Sequence, residues 1–266
     1  MRPDISEFSY GYALTETLIS TVPRRLKAAP VFPSLIEEGK TGGYDVELPF
    51  DGFPLFLQFK LADSMKRSSC IESKLGALHP PFFRMHLRPT KHSRQHPLLL
   101  ALESSGAAVF YAAPYFSDTS ELNKHYLSKT VATNSIFFRP SEIGPLPDDG
   151  DHHVAFARGK PAYLCSAEPR RIKDPGTETA GLVDELAEGY WRYARLGRDQ
   201  ESVQSWANRL IGLVRGERDH YSWYQQEALS GVEAMPPLRA LTYTALTFFG
   251  CNVVLVAPAD ASGSAD

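Results

Sequence analysis

Cysteine is scarce in this chain. Cys70, Cys165 and Cys251 stand alone among 266 residues, with no Cys-x-x-Cys pair and no Cys/His pair at zinc spacing. That argues against a disulfide framework or a zinc ribbon and leads to an expectation of reduced thiols in the cytoplasm. Long apolar runs are missing as well. The longest, 97–102 and 246–258, stop well short of the roughly 20 residues that cross a bilayer, so no membrane association is expected. Residues 1–10 are polar and acidic, unlike a secretory leader. Neither a G-x-S-x-G elbow nor a phosphate-binding or dinucleotide glycine pattern occurs, which sets aside serine hydrolase, ATPase and dehydrogenase readings. There is no basic excess either. Net charge is −3, so a nucleic-acid partner would have to be held by local patches.

What remains is an ordinary globular composition, 43% hydrophobic and 22% charged, long enough for one large domain or two small ones. The most informative stretch is 43–60. Residues 43–48 and 54–60 both alternate as strands, with a turn around Asp51-Gly52 between them, and read as a hairpin. Asp45 and Glu47 share one face of the first strand. In the second, Leu55, Leu57 and Phe59 face one way, and Phe56, Gln58 and Lys60 the other. A glutamine and a lysine two apart in an apolar strand are costly to cover unless something requires them.

A carboxylate and an amide oxygen beside a lysine suit metal-dependent phosphodiester hydrolysis. The oxygens can hold Mg²⁺, and the amine can orient or deprotonate a water. Here the sequence resembles the PD-(D/E)xK nucleases, and more narrowly the Mrr-like restriction endonucleases, whose second motif is QxK. Asp45 matches the aspartate of that motif, and Gln58 and Lys60 match the QxK. The Phe59 carbonyl stands where the family offers a third metal ligand, and Glu16 matches its helix glutamate, with Glu37 and Glu38 as substitutes. The Pro-Asp dipeptide is absent, since Tyr44 precedes Asp45. The resemblance covers roughly the first half of the chain. It implies an α/β fold, a restriction-endonuclease-like mixed sheet flanked by helices, with a C-terminal helical extension. It also implies Mg²⁺ (or Mn²⁺), a DNA substrate, action as a homodimer or larger defence complex, and a role against foreign DNA. The alternative is a nuclease-like scaffold that binds nucleic acid or protein without cutting.

Around the motif, 7–22 reads as a helix with Phe8, Tyr12 and Ile19 on its apolar face, and 29–36 as a strand suited by Pro30 and Pro33 to a sheet edge. A helix is expected over 95–104, opened by Pro97 and ended by Gly106, then a buried strand over 107–113. Together they would complete the nuclease sheet. A helix over 118–127, an extended stretch over 131–139 and a hairpin of 154–157 with 162–166 follow. A Pro-Gly break at 173–177 divides a core of 1–172 from helices over 178–193, 199–214, 221–232 and 238–249. The β-branched strand 252–257 is placed to rejoin the sheet, and 259–266 reads as a disordered tail.

Lys66, Arg67, Arg84, Arg88, Lys91 and Arg94 follow the lysine of the motif and are candidates for contacting a nucleic-acid backbone; a solvated loop and helix face explains them equally well. Gln95-His96 can reach the site, although helix capping is the preferred account. His152 and His153 lie beside an acidic loop, but consecutive histidines on a strand point apart and do not share one ion easily. Trp191, Trp206 and Trp223 sit at helical spacing and read as core rather than base-stacking residues.

Overall fold

The computed structural model describes residues 2–21, 26–31, 53–166, 168–173, 176–196 and 202–258. Among them the chain is a mixed α/β fold with two five-stranded sheets, one mixed and one antiparallel. The mixed sheet runs β1 (Leu26–Val31), β10 (Asn252–Pro258), β2 (Phe53–Phe59), β5 (Ala108–Pro114), β6 (Ser135–Phe138). The antiparallel sheet runs β3 (Ala62–Met65), β4 (Phe82–Leu87), β7 (His152–Phe156), β8 (Tyr163–Cys165), β9 (Pro169–Arg171).

β2 is central, and every residue in it is buried. It pairs antiparallel with β10 and parallel with β5. A parallel pair requires a crossover, supplied by α3 (Gln95–Ser104), as the helix-then-strand order after Lys60 suggested. The hairpin partner expected from 43–48 lies outside the described residues, as do Asp45, Glu47, Glu37 and Glu38. Among the described residues β2 pairs with β10 over Phe53–Leu57 and with β5 over Leu55–Phe59.

The two faces of β2 keep the expected parity. Phe59 packs on α1 (Glu7–Thr21), where a Cβ on Gly11 would fall 2.4 Å from the Phe59 ring. Phe56 faces Trp206 of α7 (Val203–Gly216), with ring centroids 6.3 Å apart. A central strand covered by helices on both sides has no solvent face, which is why Gln58 and Lys60 are buried and not presented to water.

α1 occupies its expected span but presents another face. Tyr10, Leu14, Thr17 and Leu18 are buried, while Phe8 and Tyr12 are 79% and 54% exposed. The helix was read by its bulkiest residues. Gly11 and Ala13 set the face instead, because their small size lets the helix approach the sheet. α4 (Thr119–Leu127) is capped by Asp118, which accepts from the Glu121 amide at 2.8 Å.

β10 enters the sheet between β1 and β2, and β1, carrying Pro30, is the edge. One apolar cluster runs from Tyr10 and Phe56 to Trp206 and Val254, across the break at 173–177. Beyond that break come α6 (Thr179–Leu196), α7, α8 (Trp223–Val232) and α9 (Pro237–Thr244). α9 continues through one π-helical turn, Ala245–Phe249, into Gly250 at φ 66°. Trp206 is core, as expected, but Trp223 is 62% exposed. Among the described residues no helix is long and apolar enough to cross a membrane.

The sheets meet through aromatic rings at the C-terminal end of β5. Phe83 of β4 and Phe156 of β7 pack on Tyr115, at 6.2 and 5.7 Å between centroids. The antiparallel sheet thus sits beside the C-terminal ends of the parallel pair, where open α/β sheets hold ligands.

Candidate functional site

Lys60 follows β2 directly, anchored by its amide to the Ala112 carbonyl of β5 at 2.9 Å. Its side chain is only 6% exposed, and Nζ donates to Gln95 Oε1 at 3.3 Å. Gln95 Nε2 donates to Gln58 Oε1 at 2.7 Å and to the Phe249 carbonyl at 3.0 Å. Gln58 Nε2 donates to the Phe59 carbonyl at 2.9 Å. Leaving any of these amide atoms unpaired in the interior costs on the order of 1–3 kcal/mol, so this chain of bonds is what makes their burial tolerable.

Three local features build this arrangement. Parity on β2 sends Gln58 and Lys60 to the same side. The first residue of α3 places Gln95 above them. The π-helical turn brings the Phe249 carbonyl and Gly250 against both amides. A Cβ on Gly250 would lie 2.2 Å from Gln95 Nε2 and 2.6 Å from Gln58 Oε1, and its left-handed φ independently favours glycine. His96 fixes the start of α3. Its Nε2 donates to the Gly144 carbonyl at 2.8 Å, so Nδ1, 2.9 Å away, accepts from the Tyr111 hydroxyl. Burial holds this imidazole below its usual range, consistent with that neutral form.

Burial also pushes the Lys60 ammonium below its ordinary value. Glu7 opposes this, Arg88 adds to it, and Cys251 opposes it. Glu7 and Arg88 are both exposed, so they mark the solvent side of the buried amine. The helix carboxylate in electrostatic reach of Lys60 is therefore Glu7. Glu16 lies about 13 Å further along α1, within the field of Tyr126. The structure does not bring Glu16 and Lys60 together.

The described residues do not by themselves fit Mg²⁺ or Mn²⁺. Gln58 Oε1 and the Phe59 carbonyl already accept hydrogen bonds, leaving each with one lone pair. Two neutral oxygens without a carboxylate fall short of what such a hard cation takes.

The six basic candidates divide. Lys66, Arg67, Arg88 and Lys91 are exposed. Arg94 pairs with Glu217 at 2.8 Å. Arg84 is committed inside the protein, where both its Nε, at 2.6 Å, and its Nη2 donate to Glu72. Glu72, in α2 (Ile71–Lys74), is fully buried, and its Oε1 is also 2.6 Å from His153 Nε2. Burial would raise the Glu72 carboxyl, but the bonds from Arg84 and His153 outweigh it and hold the group at about 2.

Glu72, His153 and Cys165 bring ligand atoms within 4.8 Å of one another, a donor set that zinc accepts. Arg84, however, already stands where a cation would neutralise the carboxylate. Sequence reading did not find this cluster. Its one legible part was the hairpin, in which His153 and Cys165 are cross-strand partners. His152 points the other way, to Ser166 Oγ at 2.7 Å and the Asp148 carbonyl at 2.9 Å, as strand alternation required.

No protein-family model, curated protein or solved structure matches the chain.

Proposed function

We propose that this protein is a phosphodiester hydrolase of the nuclease type, acting on DNA at Lys60. The observation that carries the reading is a lysine buried at the C-terminal end of a parallel strand pair, hydrogen-bonded to a neutral amide and shifted toward its neutral form. An amine shifted in that direction is better able to take a proton from an attacking water than an exposed lysine. Once protonated, it offsets charge on the phosphate. Gln95 holds it in place through Gln58 and Phe249. Arg88, exposed and in the electrostatic field of Lys60, is suited to a non-bridging phosphate oxygen.

The α3–β5 crossover after Lys60 supports the finer reading, a restriction-endonuclease-like core. A divalent ion enters this account only with the carboxylate of Asp45. Action as a dimer or defence complex against foreign DNA rests on the family resemblance alone. The test is conversion of supercoiled plasmid by purified protein with Mg²⁺, Mn²⁺ or EDTA, beside Lys60→Ala and Asp45→Ala. Metal-dependent nicking that both substitutions remove is expected. Nicking that survives Lys60→Ala would overturn the reading.

A second reading has its own support. Both amides of the Gln58–Gln95–Lys60 chain are already bonded within the protein, as expected of a nuclease-like scaffold that binds without cutting. Binding of DNA that is equal with and without metal, and no nicking under any condition, would favour it.

A further inference from the structure

A cleft away from Lys60 opens where the two sheets meet, with a volume of about 380 Å³. Its floor includes Tyr115 and Ile136, and its rim carries Lys160, Arg171 and Lys173. Among the described residues Glu178 is the one acid lining it, and Arg158 lies 3.9 Å from that carboxylate. Arg158 is itself fixed. It lies 4.5 Å over the Tyr115 ring and donates to the Thr133 carbonyl and Asn134 Oδ1, both at 3.0 Å. Among the described residues, Lys160, Arg171 and Lys173 enter no ion pair, and all three are exposed. Three cations that enter no ion pair among the described residues therefore converge on one concave space in a protein of net charge −3.

The walls are hydrogen-bonded backbone. Thr177 and Phe137 exchange bonds of 2.7 and 2.9 Å, which pins one wall to β6. The Ile172 amide reaches the Ala162 carbonyl at 2.9 Å, and the turn bearing Lys160 closes on Ala157 at 3.1 Å. Gly176, at φ 90°, lets its wall lie against the core, since a Cβ there would fall 2.8 Å from Phe138 and 2.9 Å from Ile136. A cleft held this way needs little ordering to receive a ligand.

We propose that this cleft binds a nucleotide phosphate, free or as a link in a strand. The space is of nucleotide size, the cations suit phosphate oxygens, and the apolar floor suits a sugar or base. The site is separate from Lys60 and does not depend on hydrolysis there.

The test measures binding in EDTA, using the full chain carrying Lys60→Ala so that cleavage cannot intervene. A fluorescently labelled single-stranded oligonucleotide is one probe, and ATP without metal, followed calorimetrically, is the other. The variant is Lys160→Gln/Arg171→Gln/Lys173→Gln, with the exposed Arg2→Gln/Lys74→Gln/Arg239→Gln as a charge-matched comparison and thermal melting to check folding. The triple variant should weaken at least one probe tenfold or more, while the comparison variant changes it less than threefold. For the oligonucleotide, the slope of log affinity against log salt should fall by about 2. Loss confined to the oligonucleotide assigns the cleft to a strand, and loss that includes ATP assigns it to free nucleotide. Affinity unchanged in the folded triple variant, or no binding of either probe, overturns the proposal. Failure of the nuclease reading would look different, as undiminished binding here with no plasmid nicking by the parent protein.

Discussion

Glu72 and Lys60 are both charged side chains closed off from water, and their surroundings are opposites. Glu72, in α2, packs on the antiparallel sheet against a guanidinium and an imidazole, and is held at about 2, firmly ionised. Lys60 sits at the end of the mixed sheet against neutral amides, and is shifted toward its uncharged form. A buried charge with an opposite partner is satisfied and chemically quiet. One given only dipoles is poised to exchange a proton. The contrast separates a group that closes the fold from one suited to chemistry.

The largest way to break this contrast is to remove Glu72. Glu72→Ala strands Arg84 and His153 and should cost about 3 kcal/mol or more in urea unfolding. Arg84→Ala should cost a similar amount, and the double variant much less than the sum, because the carboxylate and guanidinium act as a unit. Acid should have the same effect as Glu72→Ala. The folded-state carboxyl lies below its unfolded value of 4.5, so its contribution is complete above that pH and disappears as pH falls toward about 2. Stability measured from pH 5 to pH 2 should drop steeply in the parent and more shallowly in Glu72→Ala.

A smaller effect is expected at Gly250. Gly250→Ala would push a Cβ into Gln95 and Gln58 at a left-handed position, at a cost of about 2 kcal/mol in the same unfolding measurement. Loss of plasmid nicking should accompany it, since the amides that hold Lys60 would move. A stable Gly250→Ala protein with full activity would separate the amide network from the site.

Much of the scaffold was legible because alternation and punctuation are local. The span of α1, the bounds of α3, the parity of β2 and the presence of α4 all followed from residues close in sequence. Position in the sheet was not. The β-branched run 252–257 reads as a strand, but nothing in it says that it lies between β1 and β2. The site divides the same way. Gln58 and Lys60 stood out as polar residues in an apolar strand. Gln95 looked like the opening of a surface helix, because its burial depends on the Phe249 carbonyl, 154 residues away. Glu72 was invisible for the same reason. Its partners come from two other strands, and a glutamate in a polar stretch ordinarily faces water.

The smallest effect on stability is expected at Lys60, and there the account is most exposed. Its folded-state pKa lies below the unfolded value, so the folded protein binds fewer protons there, and the ammonium costs stability until pH rises through that window. Lys60→Met removes the charge and keeps the volume. The most direct measurement is urea unfolding and plasmid nicking on one preparation of this variant. The account predicts an unfolding midpoint close to the parent's, because relief of the buried ammonium offsets the unpaired Gln95 Oε1, with nicking reduced at least a hundredfold. A destabilised protein that still nicks plasmid at the parent rate would contradict it.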